Sequence, residues 1–334
     1  MHYSIHTYEL RHYLSHEQKF ELLKRFHDEG GYRIFKKGNE TIICKFGSQG
    51  ISTTIMENPC RPYIAFQISL NTLLHGEYVK LITYDEAEQA MRLAERMITD
   101  WMGEDYSCDK LTLCRVDLCV NVDVGSPENV TQYIKQLYKI NMRKSYKIRG
   151  LRNTAINKTV GFTTEYEQDG TELAVYNKKH QLEDALGIPA DEYKNILRIE
   201  FRLKKQSTIN KYVDDTLSNT GKILSLIENG KDIIKTVLPK LLPGGDYYKL
   251  DKAIDIVYEL EKDTRLRRTM EQFLRLTAEK HGLKSARAAM KSVGITDRYI
   301  TRLLKSFEEI EVNPVALKKN SKQKFLPSLY RYLE

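Results

Sequence analysis

The 334-residue chain lacks the cysteine patterns that staple or metallate a small fold. Its five cysteines, Cys44, Cys60, Cys108, Cys114 and Cys119, are an odd number at irregular spacing, which argues against a disulfide framework. No Cys-x-x-Cys pair occurs, so a cysteine-built zinc site is not expected. Cys114 and Cys119 fall in a strand-like run and read as packed thiols. No apolar run approaches the roughly 20 residues that a membrane span needs. The first residues, from Met1 to His6, lack the basic start and apolar stretch of a signal peptide, so a cytoplasmic location is expected. A Gly-rich phosphate loop of the Walker type is also missing, which removes the usual device for nucleotide-driven work. What is present is a hydrophobic fraction of 41%, enough for a sizeable core, and a net charge of +8, which attracts polyanions.

The length suits two domains, and the hydrophobic periodicity changes along it. Strand patterns occur at 3–10, 32–46 (a hairpin turning at Gly38-Asn39), 63–70, 111–124, 158–164, 171–179 and 195–205. Helical patterns interleave at 16–28, 85–102 and 126–140. After about residue 206 only helical patterns remain, at 221–238, 247–261, 264–281, 284–292 and 296–309. The run 241–246, Leu-Leu-Pro-Gly-Gly-Asp, is the clearest break. The expectation is therefore an α+β fold. A central antiparallel sheet with flanking helices occupies 1–240, and a helical domain occupies 241–334.

Four strand-like segments each carry one polar face. A strand sends alternate side chains to opposite sides. In 114–124, Val116, Leu118, Val120 and Val122 oppose Arg115, Asp117, Cys119 and Asn121. In 197–204, Leu197, Ile199, Phe201 and Leu203 oppose Arg198, Glu200, Arg202 and Lys204. In 172–178, Leu173 and Val175 oppose Ala174, Tyr176 and Lys178, and in 63–70 Gln67 lies opposite the apolar side. One wet face is ordinary for an antiparallel sheet. The mixture across strands is less ordinary. If these strands are neighbours, Asp117, Glu200 and Gln67 offer hard oxygen ligands suited to Mg²⁺ or Mn²⁺. The cations beside them suit a phosphodiester. A phenol needs help to ionise at neutral pH, and a metal or Lys178 would provide it.

The stretches 62–77 (PYIAFQISLNTLLHGE), 114–124 (CRVDLCVNVDV), 173–184 (LAVYNKKHQLED) and 196–205 (ILRIEFRLKK) resemble, in this order, the motifs of the filamentous phage gene II/X replication initiators. They are also similar to the related Rep_trans initiators of rolling-circle plasmids. The resemblance implies a sheet of HUH-endonuclease type that carries a metal and a nicking tyrosine. That tyrosine falls on Tyr176 and the metal ligands on Asp117 and Glu200. Lys178 would sit near the phosphate or the phenol, and Arg115, Arg198 and Arg202 would clamp DNA or brace the carboxylates. Two departures stand out: no His-x-His pair occurs, and Gln67 occupies a place where a stronger ligand is expected. The plasmid branch has a tyrosine in the strand matching 159–164, where this chain has Gly161.

There are 21 tyrosines, and Tyr63, Tyr146, Tyr166 and Tyr193 rival Tyr176 by position. The stretch 142–158, with Lys147, Arg149, Arg152 and the interleaved Tyr146, reads as a DNA-contacting loop; Lys179 is a further candidate contact. Segment 283–307 is similar to a helix-turn-helix with Arg298, Arg302 and Lys305 toward DNA, followed by a basic, mobile tail at 318–324. His12 and His16, four apart on an expected helix, read as structural. The resulting expectation is a metal-dependent endonuclease and strand transferase that forms a 5′-phosphotyrosyl link at a phage or plasmid origin. Its partners would be single-stranded or supercoiled origin DNA, a host helicase and a host polymerase, with no membrane; a homodimer is compatible. A conjugative relaxase shares this chemistry, and a non-catalytic DNA-binding replication regulator is the reading from another class.

Overall fold

A computed structural model describes residues 2–37, 40–46, 50–57, 61–76, 80–103, 106–140, 147–153, 158–166, 170–187 and 189–334. Ten strands form one antiparallel sheet: β1 (Tyr3–Tyr13), β2 (Tyr32–Lys37), β3 (Glu40–Phe46), β4 (Ile51–Glu57), β5 (Tyr63–Ile68), β6 (Thr112–Asp123), β7 (Lys147–Asn153), β8 (Lys158–Tyr166), β9 (Thr171–Asn177) and β10 (Ile196–Leu203). Their order is β2-β3-β4-β5-β1-β6-β10-β9-β8-β7. The α+β class and the antiparallel central sheet agree with the sequence pattern. The expected turn at Gly38-Asn39 lies outside the described residues.

Helices flank the sheet: α1 (His16–Glu29), α2 (Leu70–His75), α3 (Tyr84–Met102), α4 (Pro127–Leu137), α5 (Lys178–Leu186), α6 (Gln206–Ile209), α7 (Asn219–Glu228) and α8 (Gly230–Leu241). Capping boxes start α1 and α3: Ser15 with Gln18, and Thr83 with Glu86, each satisfy two backbone N–H groups that the first turn leaves open. The apolar sides of β1, β6 and β10 are fully buried, and α7 packs on β1 and β6 while α4 packs on β8, β9 and β10. Each large aliphatic side chain buried there contributes about 1.5–3 kcal/mol. The chain continues as α9 (Leu250–Leu260), α10 (Thr264–Glu279), α11 (Leu283–Ser292) and α12 (Asp297–Glu309), and the two-residue strands β11 (Tyr247–Tyr248) and β12 (Phe325–Leu326) pair with each other. Arg298, Arg302 and Lys305 are exposed on α12. No helix among the described residues is long and apolar enough to cross a membrane.

Several expectations need correction. Strands β4 and β7 have no counterpart in the sequence pattern, and the basic stretch expected as a loop contains β7. An edge strand tolerates lysine and arginine because one of its backbone edges faces solvent. The pattern at 221–238 is two helices, broken at Asn229-Gly230. A Cβ on Gly230 would stand 2.9 Å from Tyr3 Cβ, so the break brings backbone against the sheet where a side chain does not fit. No one helix holds both His12 and His16: His12 lies near the end of β1, beside Tyr106, and His16 opens α1. The strand expected over 63–70 ends at Ile68, and Leu70 opens the short helix α2. Segment 318–324 is not a loose tail. Leu317 donates its N–H to the Tyr248 carbonyl at 2.8 Å, and β12 pairs with β11, so both ends are tied.

Candidate active site

The register of the central strands decides which polar side chains meet. Arg198 of β10 lies between Asn121 of β6 and Tyr176 of β9. Glu200 lies between Cys119 and Ala174, and Arg202 between Asp117 and Glu172. Small side chains on both sides of Glu200 leave room for the Tyr176 ring, whose hydroxyl donates to Glu200 Oε1. Gly161 of β8 stands directly opposite Tyr176. A Cβ there would sit 2.4 Å from Tyr176 Cβ, so glycine is what lets β8 close on the tyrosine.

The sequence pattern did not point to His6. In β1, Ile5 pairs with Leu118 and Thr7 pairs with Asp117, so His6 is the extra residue of a β-bulge. Bulges re-aim side chains. This one turns the imidazole to the polar side, where Nδ1 lies 3.6 Å from Glu200 Oε1. One ligand atom each from His6, Asp117 and Glu200 lie within 4.8 Å of one another. Two oxygens on opposite sides of one Mg²⁺ stand roughly 4 Å apart, so a small contraction would let the three hold one ion. Each carboxylate accepts about four hydrogen bonds or ligands. Those already made leave capacity on both: Asp117 takes two from Arg115, at 2.8 and 2.7 Å, and Glu200 Oε2 takes two from Arg202, at 3.0 and 2.7 Å. One imidazole with two carboxylates is a donor set that can hold a divalent cation.

Burial shapes the charges. Tyr176, Asp117, Glu200, Arg198 and Lys178 are all buried, while His6, Arg115 and Arg202 are 21 to 28% exposed and form the rim. Burial, with the Glu200 carboxylate beside it, pushes the Tyr176 phenol well above its ordinary value, and Arg198 opposes the shift. Burial works against ionised Glu200, but His6, Arg202 and Arg198 reverse it and hold the carboxyl below the usual range. With His6 uncharged at neutral pH, the two guanidiniums are the standing cause. Burial pushes Asp117 up against the pull of Arg115. Burial, with Arg198 nearby, brings Lys178 down to about 7.

His6 supplies a pH-dependent test of the fold. Burial draws its imidazole from 6.5 down to about 3, so at neutral pH it is an uncharged donor of a lone pair. A base depressed in this way favours the fold in full above its unfolded value near 6.5, and that contribution drains away as pH falls toward about 3. In chelator, the wild type is expected to lose stability across this window more steeply than His6→Asn. Matching acid-denaturation curves for the two proteins would refute a neutral imidazole at this position.

The remaining candidate residues divide clearly. Lys178 is not on the strand with Tyr176 but opens α5, where its ammonium donates to Gln181 Oε1 at 2.8 Å. Gln67 does not join the cluster. It is exposed on β5 opposite Glu9, and β1 intervenes before β6, a gap of about 10 Å across two strand spacings. Lys179 pairs with Asp191 and with Glu183. Arg149 and Arg152 lie on edge strand β7, flanking the stretch where Leu151 pairs with Gly161, and Lys147 starts that strand. Of the rival tyrosines, Tyr63 is on β5, Tyr166 ends β8 and Tyr193 lies in the turn Asp191–Tyr193; Tyr146 lies outside the described residues.

No protein-family model matches the chain, and no curated protein matches it. Among solved structures, it is similar to the rolling circle replication initiator protein from Geobacillus stearothermophilus, at 14% identity over 72% of this chain and 85% of that one, with a TM-score of 0.36.

Proposed function

We propose that this chain is a single-strand DNA nicking and rejoining enzyme that starts rolling-circle replication of a phage or plasmid, with Tyr176 as its nucleophile. The observation that carries this reading is the hydrogen bond from the Tyr176 hydroxyl to Glu200, inside a cluster that also contains His6, Asp117 and Arg198. In the reaction, Tyr176 Oη bonds to phosphorus and the bond from phosphorus to the 3′ oxygen breaks. A 5′-phosphotyrosyl link and a free 3′-OH result, the phenolic proton being relayed to the departing 3′ oxygen by way of the Glu200 carboxylate that accepts its hydrogen bond. The link conserves the bond energy, so the reverse attack by a 3′-OH closes a strand without a nucleotide. A divalent cation held by His6, Asp117 and Glu200 would supply positive charge to polarise the phosphate and favour phenolate. Arg198, buried beside the phenol, favours the phenolate as well. Arg115 and Arg202 brace the two carboxylates and present the exposed edge of the cluster to a phosphate.

In this reading, residues 1–240 form the catalytic part and 241–334 a helical part that contacts DNA. Arg149, Arg152, Lys147 and Lys179 border the strand's path, a host helicase opens the duplex and a host polymerase extends the 3′-OH. A conjugative relaxase would use the same centre on a different DNA. The non-catalytic regulator has two observations in its favour: guanidiniums already pair both carboxylates, and Tyr176 is 5% exposed. Incubation of supercoiled DNA from the chain's own replicon with Mn²⁺ or Mg²⁺ separates the two. The enzyme should give nicked circles and a detergent-stable adduct that peptide mapping places on residue 176. Intact circles, or an adduct on another tyrosine, would end the proposal.

A further inference from the structure

Helix α4, which packs on β8, β9 and β10, meets the segment 318–324. Between them runs a groove of 490 Å³ bordered by Lys135 from the helix and by Lys318 and Lys322 from the segment, with Gln132, Asn320 and Gln323 among the other lining residues. We propose that this groove is a docking surface for the phosphate backbone of duplex DNA.

Charge is the first argument. Among the described residues no ion pair involves these three lysines, although Glu128 lines the same groove. The fold brings them together from positions far apart in the chain. Leu317 and β12 anchor the segment at both ends, and the Tyr133 hydroxyl of α4 donates to the Pro327 carbonyl at 2.6 Å. Lys139, one turn beyond Lys135, has its ammonium lowered by burial and then by Lys318 and Lys135. Like charges gathered this way oppose folding unless an anion sits among them. A polyphosphate backbone is that anion, and its condensed counterions are released when lysines replace them.

The lining decides between duplex and single strand. Proteins that hold single strands stack bases on aromatic rings. Among the described residues no aromatic lines this groove; lysines, amides, the hydroxyls of Thr131 and Ser321, and Glu128 do. Ammonium, amide and hydroxyl groups are the usual partners of backbone phosphates. This surface does not depend on the nicking reading, since it would hold a duplex whether or not Tyr176 reacts.

The test measures fluorescence anisotropy of the full chain in chelator, with a labelled mixed-sequence duplex and with one of its strands alone, from 50 to 200 mM salt. The Lys135→Gln, Lys318→Gln, Lys322→Gln protein is expected to bind duplex about tenfold more weakly. Its log–log salt slope should be shallower by roughly 2 to 3, near 0.9 for each phosphate that a lysine no longer neutralises. Single-strand affinity should move less than twofold. The matching Arg triple should bind duplex as the wild type does, and it also controls for folding. Unchanged duplex affinity and slope would overturn the proposal, as would an equal loss on single strands or an equal loss in the Arg triple. Adduct formation, measured separately, reports only on Tyr176.

Discussion

Tyr176→Phe is expected to eliminate the covalent adduct, a loss on the order of 10⁴-fold or more, while DNA affinity stays within about twofold. The change removes one oxygen and leaves the ring where Gly161 and Ala174 make space for it. Glu200 loses a donor but keeps both hydrogen bonds from Arg202, so the cost to stability is about 1 kcal/mol. The protein therefore stays folded, and any loss of reaction reflects the missing nucleophile. Denaturing gels report the adduct, anisotropy reports binding, and thermal melting reports the fold. An adduct formed by the Phe variant at the wild-type rate would show that another residue attacks.

Arg202→Met is expected to destabilise the fold by about 3–5 kcal/mol at pH 8, a fall in melting temperature on the order of 10 °C. Arg202 bonds to Glu200 and, at 2.6 Å, to Glu172, and it lies 3.9 Å from Asp117. It thus joins buried acids from three adjacent strands. Burial opposes ionised Glu200, and Arg202 helps hold its carboxyl below the usual range. A carboxyl depressed in the fold contributes stability above its unfolded value near 4.3 and loses it as pH falls. Without Arg202 the Glu200 carboxyl is depressed less, so the variant's deficit should shrink as pH falls below about 4.3, where the wild type loses this contribution. A deficit below about 1 kcal/mol, or one that does not change with pH, would show that the cluster does not depend on this guanidinium.

Much of the site could be read from local pattern. Alternation along 114–124 and 197–204 separates Asp117, Arg198, Glu200 and Arg202 from the apolar positions, and the structure keeps that separation. Strand β9 likewise shows Tyr176 on the side opposite Val175. His6 left a trace that strict alternation hides. The buried apolar positions of β1 run Tyr3, Ile5, then Tyr8, Leu10, and the step of three marks the bulge. Gln67 drew attention because its own strand alternates well, but alternation carries no information about which strand lies next to which.

That limit is general to this chain. Side-chain direction, caps and breaks follow from neighbours a few residues apart, so the amino-acid order alone established the α+β class, the helical C-terminal stretch and the polar faces. Strand order and register depend on contacts between distant segments. Only the assembled sheet inserts β1 between β5 and β6, exchanges Gln67 for His6 beside the carboxylates, and brings the lysines of 318–324 against α4. These outcomes come from competition among non-local pairings for one shared core, and no short window of sequence contains that competition.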